Sequence, residues 1–193
     1  MADYLIVPGL NNSDEAHWQS QWEKRLHSVA RVEQARWDVA ELDRWADQIA
    51  KTLKQSQARW IIAHSFGCLA TVRALSRIHE AGEVIEVQGL FLVAPADPDK
   101  FAVRELLPRS ALPVPAVIVG SLSDPWFQWE KLSLLAQQWQ TPLWCAGDAG
   151  HINSASGHGI WAEGWEWFQQ FRQPLIAANA DHPSARRHSK EFT

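Results

Sequence analysis

The sequence predicts an α/β fold: a three-layer, doubly wound, mainly parallel sheet of about six strands with helices on both faces. Short apolar runs alternate along most of the chain with amphipathic stretches of helical period, the pattern of repeated β-α units. The central run Gly89-Leu90-Phe91-Leu92-Val93-Ala94 is continuously apolar, as a parallel strand covered on both faces must be. A third apolar run, Trp60-Ile61-Ile62-Ala63, breaks at His64-Ser65-Phe66-Gly67 and passes at once into a helical stripe. In such a fold the loops at the carboxyl ends of the strands carry function.

Taken in order, Tyr4-Leu5-Ile6-Val7 reads as a first buried strand stopped by Pro8-Gly9. The loop from Leu10 to Ser13 is expected to open a helix, with Asn12 as N-cap, Glu15 completing a capping box, and Trp18, Trp22, Leu26 and Val29 on its buried face. Val32 to Trp37 is a weaker second strand, and Leu42, Trp45, Ile49 and Leu53 form a helical stripe ending near Gln55. The third strand, before Ser65, is followed by a helix carrying Leu69, Val72, Leu75 and Ile78, ended by Gly82. Gly89–Ala94 is the fourth strand, Val117–Gly120 the fifth and Leu143–Cys145 the sixth, with helices over 129–139 and 160–171. The connection from Pro95 to Pro115 has room for one short helix, too little for a cap domain. One domain over 1–173 is expected, followed by a polar, flexible C-terminal tail over 174–193, where the apolar period stops.

Composition narrows the function classes. The chain of 193 residues is large enough for its own core. A formal net charge of -4 offers no basic face for nucleic acid. No apolar run approaches the ~20 residues that a membrane span requires, and the N-terminus lacks a basic leader region, so a cytoplasmic protein without membrane contact is expected. Cys68 and Cys145 lack metal-type spacing and read as buried thiols in a reducing compartment. Twelve tryptophans are an excess. Trp18 with Trp22, and Trp161 with Trp165, fall at helical spacing and read as core, whereas Trp126 and Trp129 follow a loop of chemical interest and are expected to wall a small pocket with Phe66.

The strand-turn-helix break around Ser65 has the form of a nucleophile elbow, in which a serine on a strained turn is flanked two residues away by small side chains. Ala63 and Gly67 occupy those places. A serine hydroxyl needs a base to take its proton and a carboxylate to orient that base. Gly120-Ser121-Leu122-Ser123-Asp124-Pro125 follows the fifth strand and Gly150-His151-Ile152-Asn153 the sixth, so Asp124 and His151 emerge at the same sheet edge as Ser65, in the chain order serine, acid, histidine. Asp97 or Asp99 after the fourth strand remain alternatives for the acid, and His158 for the base. His64 reads as a residue packed beside the elbow.

Val7-Pro8-Gly9 with His17-Trp18, Ala63-His64-Ser65-Phe66-Gly67, Ser121-Asp124-Pro125 and Gly150-His151-Ile152-Asn153 together resemble the small serine hydrolases of the retinoblastoma-binding protein 9 and YdeN type, over roughly residues 3 to 172. The resemblance implies a compact α/β-hydrolase fold without a cap and a catalytic triad of Ser65, Asp124 and His151. It also implies an oxyanion hole made by the backbone N–H groups of Phe66 and Leu10. Ala63 departs from the commoner glycine. The expected function is hydrolysis of small carboxylic esters or related acyl compounds through an acyl-enzyme, with no cofactor or metal and a small-molecule acyl substrate as partner. The alternative is a protein-interaction module that retains the fold with slow or vestigial activity.

Overall fold

The structure, a computed structural model, describes residues 2–181. Six strands pair in parallel in the order β2-β1-β3-β4-β5-β6: β1 (Tyr4–Val7), β2 (Val29–Arg31), β3 (Trp60–His64), β4 (Gly89–Val93), β5 (Ala116–Gly120) and β6 (Leu143–Cys145). The helices are α1 (Trp18–Glu23), α2 (Leu42–Ser56), α3 (Phe66–Glu80), α4 (Trp129–Gln138) and α5 (Ala162–Asp181). The chain first grows outward from β1 to β2, then returns to place β3 on the other side of β1. The loops after β1 and β3 therefore diverge at the carboxyl edge, the topological switch point where open α/β sheets form their crevice.

Alternation along the strands assigns the two faces. Leu5, Val7, Ile61, Ala63, Leu90, Leu92 and Ile118 share one buried cluster with Trp45 and Ile49 of α2 and Leu69, Val72 and Leu75 of α3. Phe91 points to the other face, where Trp22 of α1 lies 6.2 Å from it, ring centre to ring centre. Trp18 and Trp22 are fully buried, as the helical spacing predicts. The connection over 95–115 holds a single 3₁₀ turn, Arg104–Leu106, and no cap domain.

Several elements differ from the sequence expectation. α1 begins at Trp18, capped by His17, whose Nδ1 accepts from the Gln19 N–H. Asn12 is not the cap: it and Asn11 take left-handed backbone conformations, and its Oδ1 accepts from the Ser13 N–H and from Arg31. Arg31 is far away in sequence, so the pull that turns this loop is invisible locally. The second strand lies at Val29–Arg31, in register with Tyr4 to Ile6, and not at 32–37. Trp37 instead turns its ring edge-on against Trp45 at 5.5 Å. Cys68 is buried, but Cys145 is exposed.

Residues up to Ile160 form one compact unit, and a second begins at Trp161. Within the second, α5 runs through Pro174 to Asp181, where a flexible tail is expected. Proline removes one helical hydrogen bond, yet Leu175, Ala177, Ala178 and Ala180 after it are strong helix formers. The remainder of the expected tail, 182–193, lies outside the described residues.

α3 sits directly against the turn after β1. A Cβ added at Gly67 would lie 2.3 Å from the Pro8 carbonyl oxygen and 2.8 Å from that of Val7. Both obstacles are backbone and cannot rotate away. Gly67→Ala is therefore expected to destabilise the fold by about 3 kcal/mol, measured as a drop in the urea midpoint, whereas Gly82→Ala, with no atom within 4 Å, meets only the strain of its φ of +71°.

Candidate active site

The elbow takes the strained form that the sequence pattern predicts. Ser65 has φ 53° and ψ -125° between the last residue of β3 and the first of α3. Its N–H donates to the Val93 carbonyl at 3.0 Å, which ties the turn to β4. Ala63 is fully buried in register with Val7 and Leu92, and its methyl group does not prevent the turn.

Three loops converge on Ser65. His151, in the loop after β6, places Nε2 2.9 Å from Ser65 Oγ. Its Nδ1 faces Asp124, in the loop after β5, at 2.9 Å from Oδ2 and 3.1 Å from Oδ1. The side chains of His151 and Asp124 are only 11% and 3% exposed, so the pair is shielded from competing water. Asp124 Oδ1 also accepts from the Trp126 N–H at 2.9 Å, an Asx turn that fixes the carboxylate ahead of Pro125.

The other acids named from the sequence lie elsewhere. Asp97 is buried, accepts from the Asp99 N–H and faces Lys131 at 3.6 Å. Asp99 pairs with Arg104. His158 Nδ1 lies 3.1 Å from Ser156 Oγ.

Two serines of the acid loop stitch it to the histidine loop. Ser121 Oγ donates to the Gly147 carbonyl and accepts from the Ala149 N–H, and Ser123 Oγ accepts from the Gly150 N–H. Both serines lie in the Gly120–Pro125 run, but nothing local in the sequence marks them for this task. Sequence reasoning misses Gln19 altogether, a fully buried amide that donates to the Val7 and Ile62 carbonyls and accepts from Ser13 Oγ. A polar residue beside Trp18, at the foot of the tryptophan stripe, is the signal that was available.

Phe66 follows the serine directly, and the turn that precedes Leu10 reaches it. The Phe66 N–H heads α3, where first-turn amides have no helical acceptor. Gly9 brings the preceding loop against Ser65: a Cβ there would lie 2.7 Å from Ser65 Cβ and 3.4 Å from Oγ. Leu10 follows directly. The Phe66 side chain does not wall a pocket, as the sequence expectation had it. It is fully buried, packed on Trp45 at 5.2 Å and Phe101 at 4.9 Å. Trp129 packs over Gly120, where its ring would lie 3.2 Å from an added Cβ. Trp126 is 56% exposed, with its ring centre 6.5 Å from that of His151. Lys100 Nζ lies 5.7 Å from the Trp126 ring centre and donates to its carbonyl at 2.6 Å. A cleft of about 710 Å³ lies at the opposite edge of the sheet, between α2, α3 and residues 81–87, and none of these groups lines it.

The charge environment beneath the site is apolar and cationic groups are kept neutral there. Burial pushes the His64 imidazole well below its ordinary range, and His151 and His17 add to the shift. Burial lowers His17 to about 4, against the pull of Asp14. Because His17 Nδ1 accepts from Gln19, its proton sits on Nε2, which has no hydrogen-bond partner among the described residues.

An all-parallel sheet with a serine elbow at its switch point defines an α/β hydrolase. The chain belongs to the serine hydrolase family, whose model matches residues 4–170. It is similar to a YdeN-like hydrolase from Pectobacterium atrosepticum, with 35% identity over 91% of this chain and 92% of that one and a TM-score of 0.83. The ydeN gene product of B. subtilis shares the fold at 19% identity, TM-score 0.73, covering 90% of this chain and 100% of that one. An esterase from Thermogutta terrifontis, solved with butyrate bound, shares it at 16% identity, TM-score 0.61, covering 89% and 82%. No protein among the curated sequences matches the chain.

The depressed His17 sets a stability window. The unfolded imidazole titrates near 6.5, the folded one near 4, so the unfolded chain binds more protons between those values. Stability is complete above pH ~6.5 and falls as pH drops towards 4, by on the order of 3 kcal/mol from His17, with His64 acting in the same direction. Urea midpoints measured from pH 7 to 4 should follow that fall, and His17→Phe should make it shallower, leaving the part due to His64.

Proposed function

We propose that this serine hydrolase cleaves small carboxylic esters or related acyl compounds with Ser65 as nucleophile, His151 as general base and Asp124 as the carboxylate that orients it. One observation carries the reading: the unbroken hydrogen-bonded line from Asp124 through both nitrogens of His151 to Ser65 Oγ, at 2.9 Å at each end. Asp124 at Nδ1 leaves Nε2 free to accept the serine proton. Ser65 Oγ attacks the carbonyl carbon as that proton moves to His151. The negative charge that develops on the carbonyl oxygen is met by the N–H groups of Phe66 and Leu10 and by the N-terminus of α3. Collapse expels the alcohol, which takes the proton from His151 and leaves an acyl-serine. Water, deprotonated by His151, then attacks the acyl-serine, and the acid departs as His151 returns that proton to Ser65 Oγ. No metal or cofactor enters this sequence of steps.

A fluorophosphonate should label Ser65, and Ser65→Ala should abolish both labelling and ester turnover. Asp124→Asn should lower kcat by on the order of 10⁴-fold, while Asp97→Asn stays near wild type. The reverse ranking of the two aspartates, read from initial rates of the purified variants, would remove Asp124 from the triad.

The acyl site is shallow in this reading. The 95–115 connection supplies no cap, and Trp126 is the exposed aromatic beside His151, offering a rigid apolar wall without a tunnel. Across p-nitrophenyl esters, kcat/KM is expected to peak at acyl chains of roughly two to four carbons, because a further CH₂ adds ~0.8 kcal/mol only where it finds surface to bury against. Trp126→Ala should broaden the preference towards longer chains. An optimum at long acyl chains in the wild type would contradict the shallow site.

A further inference from the structure

We infer that His64 and Trp18 are positioning residues that clamp the backbone of His151 and Ile152, and so hold the His151 imidazole on Ser65. The inference rests on the reading of His151 as general base. Its ground is the conformation of the histidine loop. Gly150 and Ile152, on either side of His151, have φ of +57° and +47°. Glycine accepts the left-handed region freely, but a β-branched residue resists it, so Ile152 stays there only if its surroundings over-determine it.

Two buried ring N–H groups do so. His64 Nε2 lies 3.0 Å from the His151 carbonyl oxygen, and Trp18 Nε1–H donates to the Ile152 carbonyl at 2.8 Å. A carbonyl can only accept, so the neutral His64 ring carries its proton on Nε2. The two consecutive carbonyls are thus pinned from the protein interior. Trp18 is 0% exposed and His64 5%, so neither donor is diluted by water.

The donors are themselves fixed. The rings of His17, Trp18 and His64 form one cluster, with centres 4.8 Å apart for His17 and His64, 5.5 Å for His17 and Trp18, and 6.1 Å for Trp18 and His64. The His64 ring also meets the His151 ring at 4.9 Å. The backbone N–H of Trp18 donates to the His158 carbonyl further along the same loop. His64 precedes Ser65 in the chain. The end of β3 therefore presents the nucleophile with one residue and holds the base with the one before it, and any shift of the strand end moves both together.

The test uses the full chain and p-nitrophenyl acetate, with Ser65→Ala as the baseline. His64→Phe keeps ring and burial but removes the donor. His64→Gln keeps an N–H at similar reach. Trp18→Phe removes only the indole N–H among the polar groups. A positioning error of about 1 Å costs up to on the order of 100-fold, so kcat is expected to fall about 10- to 100-fold in His64→Phe and in Trp18→Phe with KM nearly unchanged. His64→Gln should recover most of the rate, and fluorophosphonate labelling rates should follow the same order.

Wild-type kcat in a folded His64→Phe variant, or equal losses in the Phe and Gln variants, would overturn the clamp. Should His64→Phe fail to fold by circular dichroism, Trp18→Phe decides by the same measurement. Wild-type turnover that survives in Ser65→Ala is a different failure: it removes the triad reading itself, and the clamp with it.

Discussion

The structure depends on how closely the turn after β1 approaches the turn after β3. The Pro8 carbonyl lies where a Cβ of Gly67 would be, and Gly9 lies where no side chain could pass Ser65. With no side chain between them, the two turns meet backbone to backbone at the point where the sheet order reverses. That contact seats the amino end of α3 and holds the turn after β1 against the strained Ser65 backbone. Every other part of the site is arranged around a serine that this contact has already placed.

The remaining task is to hold two loops over that serine, and the molecule does it with hydrogen bonds between neutral groups. Ser121 and Ser123 join the acid loop to the histidine loop through the amides of Ala149 and Gly150. Gln19 joins the ends of β1 and β3 beneath them. His64, Trp18 and His17 fill the space under His151 with rings that desolvation keeps uncharged. A buried hydrogen bond that is made resists rearrangement because an unpaired group there is costly.

Such a site can be compact because it needs little else. The connection between β4 and β5 contributes one 3₁₀ turn, and Trp126, held by Lys100 through its carbonyl, is the aromatic left open to solvent beside His151. Phe66 looks like a pocket residue by its neighbours in sequence, yet it is spent on packing against Trp45 and Phe101, while Trp129 lies half-buried over Gly120.

The sequence by itself determined every strand but β2, most helices and the elbow, because those follow from local periodicity and from the small residues a tight strand-to-helix turn demands. It also placed Ser65, Asp124 and His151 at one sheet edge, since parallel β-α order brings successive loops to the same side. It misplaced α1's start and β2, where a distant residue, Arg31, outweighs the local capping pattern at Asn12. It ended α5 early, at 171, ahead of Pro174, a single proline outweighed by the alanines and leucine that follow. Only the tertiary structure decided which aspartate faces His151, and which buried groups steady it, for His64, Trp18 and Gln19 act across separations that no local pattern encodes. Side-chain hydrogen bonds between distant segments depend on where the folded backbone brings them, and that is settled by packing of the whole sheet.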